Sequence, residues 1–308
     1  MVSIYTRTNN ILTTEYLKWL IRKIIQKKSG PEAVLSSLVR GLDTLGIKHE
    51  INPSKPTFEI VHVLSGIRAL EDIINLKKTG KIKKIIAGPN LVTTPNDSNK
   101  ILHDKNLDII LVPSKWVADF YGKSLSEDQS KKVIVWPAGI KMPQNETPAE
   151  NRKLVLLFIK NVEKELSEDI KRYLQNEKIL FEIIKYGKYK QEKYFSLLEK
   201  SRLMIYLQTV ESQGMALQEA WVRNVPTLVL EKDTYVYPNG ERAYGQVSAP
   251  YLTKESGLFF RDFEDFKLKL KDALQGANPF SPRKYCTENL SDEISTQKYL
   301  DIINRLKQ

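Results

Sequence analysis

The chain has 308 residues, long enough for two domains that each bury a full core. Its 41% hydrophobic and 28% charged residues describe a folded globular protein, and no apolar run approaches the roughly 20 residues that span a bilayer. A single cysteine, Cys286, excludes an internal disulfide, and three histidines without close spacing give no zinc-ligand pattern. The N-terminus lacks a signal-peptide layout, so a cytoplasmic location is expected. The net charge of +11 suits a phosphate-bearing substrate, an anionic membrane surface or nucleic acid. Nucleic acid is the weakest of these, because basic residues are not interleaved with aromatics as on a single-strand platform.

In chain order, short apolar runs alternate with helical stretches, the pattern of parallel sheets covered by helices. VSIYTR opens as a strand. EYLKWLIRKIIQKK, residues 15–28, sets Leu17, Leu20, Ile21, Ile24 and Ile25 in one helical stripe, with Lys18, Arg22, Gln26 and Lys27 away from it. Such a basic amphipathic helix, flanked by Trp19, lies in an anionic membrane interface or packs on the first sheet. Ser29-Gly30-Pro31 then starts the helix EAVLSSLVRGLDTLG, since proline is preorganised for a first helical turn. KHEIN, FEIVHVL, KKIIAG, LDIILVP and KKVIVWP follow as strands, with KWVADFYGKSL as a helix between the last two. His62 lies within FEIVHVL, and Gly88-Pro89-Asn90 and Pro113-Ser114 close the next two strands.

Residues 143–150, polar and with two prolines, read as a linker. They predict domains at 1–145 and 146–285, followed by a helical tail, 286–308, returning to the first domain. LVLLFIK, KILFEIIKYG, SRLMIYLQ, VPTLVL and GLFF repeat the strand scheme in the second domain.

The most informative segment is ESQGMALQEAWVRNVPTLVL, residues 211–230. A loop after the strand SRLMIYLQ carries Glu211, Ser212, Gln213 and Gly214, and a helix beginning near Met215 carries Glu219. At 1.5 Å per residue, Glu219 lies roughly 7.5 Å along that helix. Two acceptor-only carboxylates so separated can hold hydroxyls on two parts of one ligand. Unpaired N–H groups at the helix start favour phosphate or other oxygens.

This segment resembles the E-x7-E motif of GT-B-fold, group 1, retaining glycosyltransferases, roughly E-G-F-G-x4-E-A-x-A-x-G-x-P-V. The matching residues are Glu211, Gly214, Glu219, Ala220 and Pro226; Ser212, Gln213 and Asn224 stand where the family has Gly, Phe and Gly. Weaker pieces occur in the family's order, from KKSGPEAVLSSLVRGLDTLGIKHEI through VIVWPAGIKMP to FRDFEDFKLKLKDAL. The resemblance implies an α/β chain of two doubly wound, Rossmann-like domains facing a cleft. It also implies transfer of a sugar from a nucleotide-sugar donor to a glycan or lipid-linked acceptor.

Residue by residue, the resemblance sets Glu211 beside the transferred sugar and Glu219 on the ribose, with Ser212, Gln213, Gly214 and Met215 lining the donor. Lys160 and Lys164 would face the diphosphate, Tyr186 and Gly187 the base, and Ser29 and Gly30 the diphosphate and acceptor. Many relatives carry D-x-x-H-x-H; this chain has His62 at the first histidine and Leu64 at the second. His62 is then either a catalytic candidate or a strand residue, and Asn90 is a candidate for sugar hydroxyls. With no D-x-D triplet, the resemblance implies transfer without metal or other cofactor. Two rival readings are a nucleic-acid-modifying or nucleic-acid-binding protein of the same fold, and a non-catalytic sugar- or nucleotide-binding module.

Overall fold

The computed structural model describes residues 1–308 apart from 12, 15, 17–19, 21–29, 145, 146, 277 and 308. Ser29 and most of the expected amphipathic helix at 15–28 fall outside the described residues. Contacts divide the chain into one unit of Met1–Gly139 with Asp292–Gln308, and another of Ile140–Ser291. The sequence-based boundaries at 145/146 and 285/286 lie a few residues from these.

The first unit is built on six parallel strands: β1 (Val2–Tyr5), β2 (His49–Ile51), β3 (Ile60–Ser65), β4 (Lys84–Asn90), β5 (Ile109–Val112) and β6 (Val133–Val135). Their order is β2-β1-β3-β4-β5-β6, a doubly wound sheet that reverses direction between β1 and β3. All six correspond to runs read as strands from the sequence. β1, β3 and β5 are buried along their whole length, which is why they read as continuous apolar runs rather than alternating ones.

Helices α1 (Gly30–Thr44), α2 (Ile67–Lys78) and α3 (Lys115–Ser124) belong to this unit. On one face, Val2, Ile4, Ile60, Leu64, Ile86 and Leu111 pack with Val34, Leu38 and Leu42 of α1. The closing helix of the chain, Asp292–Lys307, adds Tyr299, Ile302 and Ile303 to the same core. It is tied down by polar contacts as well. The Trp136 indole donates to Ser295 O at 3.0 Å, and Arg40 forks onto Asp292 at 2.6 and 3.1 Å.

The second unit has five parallel strands, β7 (Leu154–Asn161), β8 (Phe181–Lys185), β9 (Ser201–Gln208), β10 (Thr227–Leu230) and β13 (Gly257–Phe260), in the order β13-β10-β9-β7-β8. This sheet reverses between β7 and β9. Between β10 and β13 lies an antiparallel hairpin of β11 (Thr234–Val236) and β12 (Arg242–Tyr244) that the sequence reading did not include.

Period-two alternation splits the second unit's core. Val155, Leu157, Leu203, Ile205 and Leu207 face one way, with Ile170 and Leu174 of α4 (Lys164–Asn176) and Phe266 and Leu270 of α7 (Phe263–Leu274). Leu156, Phe158, Met204 and Tyr206 face the other way. There they meet Tyr194 and Leu198 of α5 (Gln191–Lys200), Leu217 and Trp221 of α6 (Met215–Trp221), and Cys286 of α8 (Pro282–Asn289). The chain's closing helix is α9.

Candidate active site

In doubly wound sheets, ligands bind outside the carboxyl ends of the strands where the strand order reverses. In the second unit that point lies between the ends of β7 and β9, and both ends carry functional candidates. Lys160 is the penultimate residue of β7, and Glu211 follows β9 by three residues.

The loop carrying Glu211 is tied down through its backbone: Glu211 N donates to Val247 O at 2.7 Å, and the Gln208 side-chain amide donates to Val210 O at 2.6 Å. Gly214 then precedes α6 at φ +81°, a left-handed conformation that glycine adopts without a Cβ penalty. At the far end of the segment, Asn224 also has a positive φ, +59°. This left-handed position follows the helix, and asparagine is the usual substitute for glycine there. Asn224 in the family's glycine position is thus accounted for.

Glu211 is the electrostatic centre of the group. Lys160 Nζ donates to its Oε1 at 2.6 Å, and the Tyr206 hydroxyl donates to the same oxygen. The Glu211 side chain is only 11% exposed. Lys160 also lies over the Tyr186 ring, 4.6 Å from its centroid, a cation–π contact. Tyr186 is 57% exposed, an open aromatic face at the end of β8. Gly187, at φ +75°, makes the turn that follows.

Glu219 has a different neighbour: Gln191 of α5 donates to its Oε1 at 2.7 Å. Tyr189 senses both carboxylates. Burial raises its phenol first, and the charges of Glu219 and Glu211 push it further above the ordinary range. Arg223 bonds the Glu219 carbonyl at 3.0 Å and stacks on Phe195; burial lowers its guanidinium despite the opposing charge of Glu219. A carboxylate has about four lone-pair sites, so a glutamate can accept from more than one donor at a time.

Other residues singled out from the sequence are placed as follows. Ser212 is exposed and Met215 half-buried on the same loop and helix start. Gln213 is 5% exposed, and its amide nitrogen is within 3.2 Å of both Met215 Sδ and Gln218 Oε1. These contacts brace the loop from inside. Lys164 opens α4, one turn before Glu168, whose carboxyl is held below the usual range first by Lys171 and also by Lys164. Gly30 is the first residue of α1, with open space around it.

In the first unit, Asn90 ends β4 opposite Ser65 of β3, and its Nδ2 is buried without a hydrogen-bond partner. Ser114 precedes α3 and is 1% exposed. His62 requires a correction. It is completely buried, its Nε2 lies 2.7 Å from Gly88 O, and its Nδ1 lies 2.9 Å from the Tyr299 hydroxyl. Both ring nitrogens are occupied inside the core, and burial lowers the imidazole to about 4. The ring is a neutral core residue with no edge to offer a substrate. Leu64, two residues on, points to the same covered face.

Tyr206, Gln191 and Arg223 were not among the residues read from the sequence. Tyr206 sits where a strand's core position is expected, and nothing local distinguishes a buried tyrosine that serves a carboxylate from one that only packs.

No family model matches this sequence, and no curated protein matches it. Solved structures do. The fold is GT-B: two Rossmann-like α/β units, each with a doubly wound parallel sheet. The apo form of the lipopolysaccharide outer core galactosyltransferase WaaB matches at a TM-score of 0.61 and 12% identity, over 99% of each chain. The catalytic domain of starch synthase IV from Arabidopsis thaliana, bound to ADP and acarbose, matches at 0.62 and 10% identity, over 99% of this chain and 98% of that one. A UDP-forming alpha,alpha-trehalose-phosphate synthase from Burkholderia vietnamiensis matches at 0.55 and 10% identity, over 91% and 79%.

Proposed function

We propose that the chain is a glycosyltransferase that moves a sugar from a nucleotide-sugar donor to a glycan or glycolipid acceptor, with retention and without a metal ion. The observation that carries this reading is the placement of Glu211 and Glu219. Both follow β9, at the reversal point of a GT-B second unit, and each is held by a named side-chain donor. The solved structures that share the fold are of glycosyl-transferring enzymes, two of them described with ADP or as UDP-forming.

In this reading Glu219 accepts ribose hydroxyls, and the open face of Tyr186 packs on the base. Lys160 meets the diphosphate, where negative charge grows as the glycosidic bond breaks. A fixed cation at that place stabilises the transition state. Glu211 orients the sugar, and the acceptor hydroxyl attacks on the face from which the nucleotide departs, its proton passing to the leaving phosphate oxygen. The protein supplies position and electrostatics rather than a covalent nucleophile.

The acceptor would meet the first unit. That unit holds 24 Lys and Arg against 16 Asp and Glu, whereas the second holds 24 against 21. The basic excess suits an anionic or membrane-presented acceptor and a peripheral location at a membrane face. Among the described residues, no helix is long and apolar enough to cross a membrane.

A panel of nucleotide sugars tests the reading by thermal stabilisation, since a ligand that binds only the folded state raises the melting temperature according to its affinity. At least one ADP-, UDP- or GDP-linked sugar is expected to raise it and to be turned over. A panel with no shift and no turnover removes the glycosyltransferase reading.

A further inference from the structure

We propose that Tyr206 is a positioning residue, whose hydroxyl fixes the carboxylate of Glu211 in the orientation that meets the transferred sugar. This inference rests on the glycosyltransferase reading above.

The tyrosine ring cannot swing. It is 1% exposed and lies on the β9 face that packs against α5 and α6. It stacks on Phe158 of β7, its register neighbour, with centroids 5.1 Å apart and planes 28° from parallel. A phenylalanine would fill that core equally well. The hydroxyl is what needs a reason, because a buried phenol must find a partner or lose its hydration without return. Its partner is Glu211 Oε1, five residues along the chain and outside the strand. Burial, and then the charge of Glu211, hold the phenol well above its ordinary range, so it remains a proton donor.

Lys160 donates to the same oxygen but cannot do the same work. Its ammonium ends a flexible four-carbon stem, is not directional, and is shared with the Tyr186 ring. A diphosphate arriving beside Lys160 would compete for that ammonium. Tyr206 would still hold the carboxylate, because its position is set by the core and not by the ligand. The two donors therefore divide two tasks: a mobile charge for the diphosphate and a rigid anchor for Glu211.

The test is a double-mutant cycle of wild type, Tyr206→Phe, Glu211→Gln and the double variant, using the donor found in the nucleotide-sugar panel. Tyr206→Phe is expected to lower kcat about tenfold, with donor KM within about twofold of wild type. It should cause no further loss in the Glu211→Gln background, since residues acting through one contact are not additive. Melting curves on all four proteins ensure that kinetics are read below the onset of unfolding. A kcat that survives Tyr206→Phe, a loss confined to KM, or the same loss in both backgrounds overturns the positioning role alone. A wild-type chain that neither binds nor turns over a nucleotide sugar overturns the glycosyltransferase reading, and the role falls with it.

Discussion

Glu211 and Glu219 carry the same side chain, and the proposed function gives them different tasks. Glu219 lies on a helix beside the amide of Gln191, and in that proposal it meets the part of a donor that does not react. Glu219→Gln removes the charge while keeping one acceptor. Donor affinity measured by nucleotide titration is therefore expected to fall by about 1–3 kcal/mol, the range for a hydrogen bond to a charged group. In the same proposal Glu211 orients the reacting sugar, so Glu211→Gln should lower turnover far more than nucleotide affinity. Wild-type binding and turnover in both variants would leave these glutamates a structural role only. His62 gives a residue-scale prediction of another kind. Its folded value of about 4 lies below the ordinary 6.5 of the unfolded chain, so the unfolded state takes up a proton that the folded state refuses. Its contribution is intact above pH 6.5 and is lost as pH falls toward 4, by roughly 3 kcal/mol in all. Denaturant midpoints at pH 7.5 and 4.5 should differ more for wild type than for His62→Phe. Equal differences would show that the ring takes up its proton without leaving the core.

At the scale of elements, the strands were legible because each is a short apolar run between turn signals, and both sheets are covered on both faces. The β11–β12 hairpin was the exception. Its strands have three residues each, too short for an alternation to show, although Asn239-Gly240 at its turn is a recognised hairpin pair. Contact between α1 and α9 depends on a feature no helical period records. At Gly41 an added Cβ would lie 1.9 Å from Thr296 Oγ1 and 2.8 Å from Asp292 O, so the two helices approach through a missing side chain. Gly41→Ala should cost roughly 1–3 kcal/mol of overpacking, lowering the melting temperature by several degrees. Gly122→Ala, within α3 and with no atom near its Cβ position, should leave it unchanged or raise it slightly. If both variants melt alike, the α1–α9 contact is looser than the structure has it.

For the whole molecule, the proposed function assigns the donor to the second unit, while the basic excess lies in the first. The nucleotide sugar that raises the melting temperature should therefore slow amide hydrogen exchange around residues 160, 186–189 and 208–219 more than anywhere in the first unit. Protection concentrated in residues 1–139 would reverse the assignment of donor and acceptor sides.

The sequence alone determined the α/β class, the strands of both sheets, and the Glu211-to-Glu219 spacing. These depend on local periodicity and on residues within one strand–loop–helix segment, so they can be read without knowing any partner. The tertiary structure decided which side chains those elements present to one another. His62 was open between a catalytic and a strand role until Tyr299, 237 positions away, was seen to close over it. Tyr206 was only one letter of a strand until its hydroxyl was found on Glu211, and Lys160, read as a diphosphate contact, was not expected to meet the same oxygen. Period-two alternation tells which face a strand residue takes, but sheet order and helix docking determine what covers that face. Those are long-range properties of the packed chain, and no local pattern carries them.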